Sequence, residues 1–314
     1  MSGGVLFYVF SRPDIHLSEI LKTFKACPRE IVFFCILIYG VVFLLACVRW
    51  WMIMRVIQIR LGLLQTIRLA LIGAFFNNMM PSLTGGDIIK AYYLAGTTDR
   101  KVEAVSSIAL DRMCGFAAVF LLGAVASFFA LSDVHFGSAA RSVVILSSVF
   151  FLVILFLFFA ASLRNFSWFS RMLSRFKVMA IIKRAYETIT ILKHHPMTGI
   201  SVLFISVVLQ SLLVYLQFLF ARSIGVTEIS WERFFLIIPM ASVISAIPIS
   251  FAGWGIGEGA YRSLFMIANP ALGAVAVSIS IFFKLVCLMY SLIGLPFYLT
   301  YKHQKLDRGR DGEK

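Results

Sequence analysis

The stretch NNMMPSLTGGDIIKAYYLAG, residues 77–96, decides how this chain is read. An apolar run stops at Pro81, crosses Gly85 and Gly86, and restarts as a helix behind Asp87. Proline lacks a backbone donor and clashes with the preceding turn, so a helix arriving from residue 67 ends near it. Backbone that leaves helical geometry at membrane depth strands amide and carbonyl groups, and it survives only where protein or a wet cavity satisfies them. The break predicts a polar site inside an otherwise apolar protein.

The membrane setting follows from composition. Of 314 residues, 60% are hydrophobic and 14% charged, with a mean hydropathy of +0.91. That balance leaves too little polar surface to cover a water-soluble fold. The predicted class is an all-α polytopic membrane protein. One membrane domain, residues 31–301, lies between an N-terminal interfacial segment, 1–30, and a charged tail, 302–314. The opening residues MSGGVLFYVFSRPD have too short an apolar run, and no upstream positive region, for a signal peptide. The net charge of +14 gathers in short loops beside apolar spans. Cytoplasmic loops facing anionic lipid have this pattern, and no nucleic-acid partner is expected. Cys27, Cys35, Cys47, Cys114 and Cys287 lack metal-ligand spacing and read as reduced packing residues.

A crossing needs roughly 20 mostly apolar residues. Five segments qualify: 31–48, 104–131, 142–163, 199–221 and 271–300. Two others, 67–80 and 234–247, are short, end at a proline, and lead into glycines, an acid and an amphipathic restart. Loop charge assigns the sides. The intervals 49–68 and 164–193 and the tail are basic, hence cytoplasmic, while 132–141 and 222–233 are balanced, hence outer. With five crossings the alternation closes only if 67–101 enters and leaves on the cytoplasmic face and 234–268 on the outer face. The two broken segments are then opposed re-entrant hairpins.

These segments resemble each other. Pro81, Gly85, Gly86, Asp87 and Ala91-Tyr92 recur in order as Pro248, Gly253, Gly255, Glu258 and Ala260-Tyr261, with altered spacing, the mark of a weak inverted repeat. A helix restarting at Gly86 or Gly257 aims free amides and its positive dipole end into the cavity, a place for phosphate or carboxylate. Paired interrupted segments point to a transporter's central site. Two carboxylates there would repel an anion unless bases stand close, and Lys90 and Arg262, each about one turn beyond an acid, are spaced to do so. Asp87 and Glu258 also have a purely structural reading, as acids stabilising helix starts. Lys284 falls near the middle of a span, where a lysine is functional or part of a structural ion pair. Asp111 and Arg112 open a long apolar run and fit either a site or the cytoplasmic interface. Asn77 and Asn78 are amides able to satisfy loose backbone or bind a headgroup.

Three stretches in order, FFNNMMPSLTGGDIIKAYYLAG, ALDRMCGF (109–116) and IPISFAGWGIGEGAYRSLF (247–265), resemble the signature regions of the lysylphosphatidylglycerol synthase transmembrane-region family of flippase-like integral membrane proteins. The resemblance implies a lipid-handling membrane domain. In the bifunctional multiple peptide resistance factors this region is associated with moving aminoacylated phosphatidylglycerol between leaflets, and a separate soluble domain makes that lipid. No such synthase domain is expected beside this region, so aminoacyl transfer is not expected, and the resemblance implies a substrate class: anionic or aminoacylated phospholipid, hopanoid or polyprenyl-linked lipid. Carried over by motif, the implied site residues are Asn78, Pro81, Gly85, Gly86, Asp87 and Lys90, then Asp111 and Arg112, then Pro248, Gly253, Gly255, Glu258 and Gly259. Asn77, Tyr92, Arg262 and Lys284 complete the candidate substrate-binding set. Relatives commonly carry an additional complete N-terminal span. The family also implies a bacterial or archaeal cell membrane, and the loop charges a cytoplasmic C-terminus.

The leading expectation is a lipid translocase with a headgroup cavity between the two hairpins and Lys284 offsetting lipid phosphate. No nucleotide-binding motif is present, and neither cofactor nor metal is expected. An enzyme transferring a lipid phosphate would need a general base or metal carboxylates. No histidine falls in a predicted span, no Asp-x-Asp pair occurs, and Asp87, Asp111 and Glu258 are scattered. A third class is a non-transporting membrane partner of a lipid-modifying enzyme.

Overall fold

The structure is a computed structural model that describes residues 24–79, 85–131, 195–245 and 255–300, with Lys22 and Val149. Within these residues it is all helical. The order is α1 (Arg29–Val56), α2 (Leu63–Met79), α3 (Gly85–Ala95), α4 (Lys101–Leu131), α5 (Pro196–Ser223), α6 (Trp231–Ser245), α7 (Ile256–Ala268) and α8 (Gly273–Leu292), with a 3-10 turn at Pro270–Leu272 before α8.

Four stretches are long and apolar enough to cross a membrane: Arg29–Val56, Lys101–Ala126, Pro196–Ser223 and Pro270–Thr300. They correspond to four of the five expected crossings; the other, 142–163, lies outside the described residues except for helical Val149. At 28 residues, α1 and α5 are each about 42 Å long, more than a hydrocarbon core of about 30 Å requires. Phe33, Phe34, Leu37, Val41 and Leu44 form an exposed apolar stripe on α1, while Arg49, Asp87, Gln217 and Glu258 are buried. Apolar outside and polar inside is the arrangement lipid imposes.

Each broken segment contains two short helices. Helices α2 and α3 have 17 and 11 residues, α6 and α7 have 15 and 13, all short for a crossing. Contacts between Gly73 and Lys90 and between Asn77 and Gly86 make α2 and α3 an antiparallel hairpin. The turns themselves, with Pro81, Pro248 and Gly253, lie outside the described residues.

The two halves repeat one plan: a span, two short helices, a span. Every helix pairing in α1–α4 has its counterpart in α5–α8, and pairings between the halves exchange in the same way, α4 with α6 answering α8 with α2. The equivalent helices α1 and α5 pack antiparallel: Cys27 meets Ser223, Cys35 the carbonyl of Leu216, and Arg49 Ser206. Two equivalent helices running in opposite directions define an inverted repeat. Each half has its own core, Trp50, Met54, Leu69 and Leu94 in the first and Phe234, Phe265 and Ile279 in the second. Glycine allows close approach where packing must replace the hydrophobic effect within lipid. A Cβ at Gly294 of the last stretch would lie 2.1 Å from the Leu71 carbonyl oxygen of α2.

Candidate functional site

Asp87 is the third residue of α3, and Glu258 the third of α7. Each draws a cation from the twelfth residue of the following span. Arg112 of α4 donates from Nε and Nη2 to the two oxygens of Asp87 at 2.7 and 3.0 Å. Lys284 of α8 donates to Glu258 at 2.7 Å. The two-pronged guanidinium contact is stronger and more directional than a single charge-assisted bond. Lys90, one turn along α3, adds a second cation to Asp87 at 2.9 Å, as helical spacing predicts, and its ammonium sits 5.0 Å from the Trp50 ring centroid.

Arg262 was spaced for the same role toward Glu258. The cation there is Lys284, and Arg262 has its Nε beside Gly273 at the start of α8. Lys284 is thus engaged by a carboxylate. The sequence alignment of Ala91-Tyr92 with Ala260-Tyr261 is also out of register. Lys90, the sixth residue of α3, matches Tyr261, the sixth of α7. Tyr261 is buried and donates to Gln217 at 2.5 Å, whereas Tyr92 shares an exposed face with Ile88, away from Asp87.

The helix starts are partly satisfied within the protein. The Gly86 amide donates to Asn77 at 2.8 Å, so one donor expected to face a ligand is already capped. Asn78 turns back to the Ala74 carbonyl of its own helix. Gly86 itself packs on α2, where a Cβ would lie 1.8 Å from the Gly73 carbonyl oxygen. In the second half, Gly255 has a φ of +89°, and its amide donates to Glu258 at 2.6 Å. Glu258 therefore caps its own helix and pairs with Lys284, which combines the structural and ion-pair readings in one side chain. Gly257 leaves room for that lysine, since a Cβ there would lie 2.9 Å from its ammonium. Gly85 is buried at its helix start, and a Cβ on Gly259 would meet nothing within 4 Å.

Asp111 and Arg112 are both in the network, though not as a unit. Asp111 takes Arg49 of α1 at 2.8 Å, and Arg49 also donates to Ser206 of α5 at 3.0 Å. Arg49 had counted as loop charge; it lies within α1, which extends past residue 48 to Val56, and it is buried. Ser107, which accepts from Trp50 at 3.2 Å, and Gln217 were also missed. A polar residue at helical spacing within a span was the only available signal for them, and serine and glutamine occur in spans for many reasons. Among the described residues no three His, Cys, Asp or Glu side chains form a group able to hold a metal.

Two related units with acid–base pairs at their helix breaks define an integral membrane protein of the broken-helix type. The chain belongs to the family described as "Lysylphosphatidylglycerol synthase TM region", whose model matches residues 1–294. The family places the chain among membrane proteins of lipid metabolism or transport. Searches of curated proteins and of solved structures find no match.

Proposed function

We propose that the protein is a lipid translocase that moves a polar-headed lipid between leaflets, the headgroup passing between the two opposed hairpins. The observation that carries this reading is the matching placement of two ion pairs, Asp87–Arg112 and Glu258–Lys284, each with a buried carboxylate, at the restarts of the two broken helices. Charge this far inside an apolar bundle is costly and is kept chiefly along substrate or ion paths. Inverted repeats supply two related half-sites that open to opposite sides by rocking against each other. In this reading the protein resides in the cell membrane with its C-terminus in the cytoplasm, and no chemical step is catalysed.

The test is leaflet exchange of headgroup-labelled lipids in liposomes made from host lipid extract, comparing wild type with Asp87→Asn and Glu258→Gln. Exchange lost in both variants, with folding retained, supports the reading. Absence of exchange for every host lipid sinks it and favours a non-transporting partner of a lipid-modifying enzyme.

A further inference from the structure

The two halves match in backbone and differ in charge. In the first, Arg49, Lys90 and Arg112 face Asp87 and Asp111, three cations against two carboxylates. In the second, among the described residues, Lys284 pairs with Glu258. Helix registers place Leu216 opposite Arg49, Tyr261 opposite Lys90 and Phe283 opposite Asp111, so the second half lacks all three extra charges. Arg262, on α7, has its Nε beside Gly273, which is eleven residues and so about 16 Å of helix rise before Lys284 on α8.

Among the described residues, the first cluster keeps one positive charge in excess. Charge within a membrane bundle calls for a counter-charge or an aqueous cavity. Arg112 is the group able to meet one. Its side chain is 48% exposed, its Nε and Nη2 are committed to Asp87, and its Nη1 has no hydrogen-bond partner among the described residues. Lys90 and Arg49 are nearly enclosed, at 12% and 10%. A guanidinium edge presents N–H groups in a plane that suits phosphate oxygens.

We infer that the first-half cluster is a site for one phosphate-class anion, the phosphodiester of a lipid headgroup, contacted by Arg112, and that the Glu258–Lys284 pair is its neutral counterpart and not a second anion site. The headgroup as source rests on the translocase reading; the anion site does not. Lys90 and Arg49 act by positioning, holding the two carboxylates so that Arg112 keeps an open edge.

The test uses the delipidated full-length protein in neutral detergent and reads the shift in melting temperature on titration with phosphatidylglycerol, with diacylglycerol of the same chains, or with inorganic phosphate. Two double variants are compared, Asp87→Asn/Arg112→Gln and Glu258→Gln/Lys284→Gln. Each removes one charge of either sign, so net charge is unchanged and no carboxylate is left stranded, and melting without ligand reports folding. Phosphatidylglycerol should stabilise wild type saturably and diacylglycerol should not. Apparent affinity should fall at least about tenfold in the first variant and stay within about threefold in the second. Wild-type affinity in the first variant, or an equal loss in the second, overturns the site. Inorganic phosphate acting as strongly as phosphatidylglycerol overturns the lipid source. Leaflet exchange measured alongside separates the two ideas. Exchange with binding that ignores Arg112 sinks the anion site alone, and Arg112-dependent binding without exchange sinks the translocase alone.

Discussion

Arg112 and Lys284 occupy the same place in the two halves, each the twelfth residue of its helix and each 2.7 Å from an acid at the restart of a broken helix. Their environments differ, since Glu258 is wholly buried and Lys284 nearly so, while Arg112 is half-exposed.

That difference predicts unequal costs of truncation. Lys284→Ala strands a buried carboxylate and should destabilise the protein by about 3–5 kcal/mol, whereas Glu258→Gln/Lys284→Gln should recover most of the loss. Chemical denaturation in detergent measures both. A double variant as unstable as the single one would refute the pairing as the cause.

Asn77 and Asn78 are neighbours with different duties. Asn77→Ala leaves the Gly86 amide without its partner and should cost about 1–3 kcal/mol. Asn78→Ala removes only a contact to its own helix and should cost less than about 1 kcal/mol. Equal melting temperatures for the two variants would mean that the amide cap carries no weight.

Gly86 and Gly259 make a second contrast. Gly86→Ala drives a methyl group into the Gly73 carbonyl and must part α2 from α3, so folded yield should collapse or melting fall by several degrees. Gly259→Ala meets open space and should melt within a few degrees of wild type. Size-exclusion profiles and thermal melts decide it.

The inverted repeat predicts a topology. Glu30→Cys near the start of α1 and Met197→Cys near the start of α5 should react with a membrane-impermeant maleimide from opposite faces of a sealed vesicle. Both positions are exposed and the native cysteines are mostly buried, which keeps background labelling low. Labelling of both from the same face would remove the inversion.

Much of the fold was legible because lipid makes long apolar runs unambiguous. The breaks were legible because at each of them a proline, glycines and an acid follow one another in order. The register of the repeat was not. The Ala-Tyr dipeptides suggested one alignment, and helical phase enforces another, in which Lys90 answers Tyr261. The site was legible where sequence spacing implies contact: Lys90 reaches Asp87 because three residues make nearly one turn. Spacing could not show that Lys284 takes Glu258, or that Arg49 crosses to Asp111, 62 residues on.

The sequence by itself determined the solvent, the long spans, the two broken segments and the family, since each depends on composition or on motifs a few residues long. Only the tertiary structure decided which charge neutralises which, that α1 and α5 run antiparallel as equivalents, and that among the described residues the first cluster carries an extra cation. Those facts depend on helices packed across the chain at a fixed rotation. A turn of about 100° per residue moves a side chain from the lipid face to the core, and no local pattern records which partner waits there.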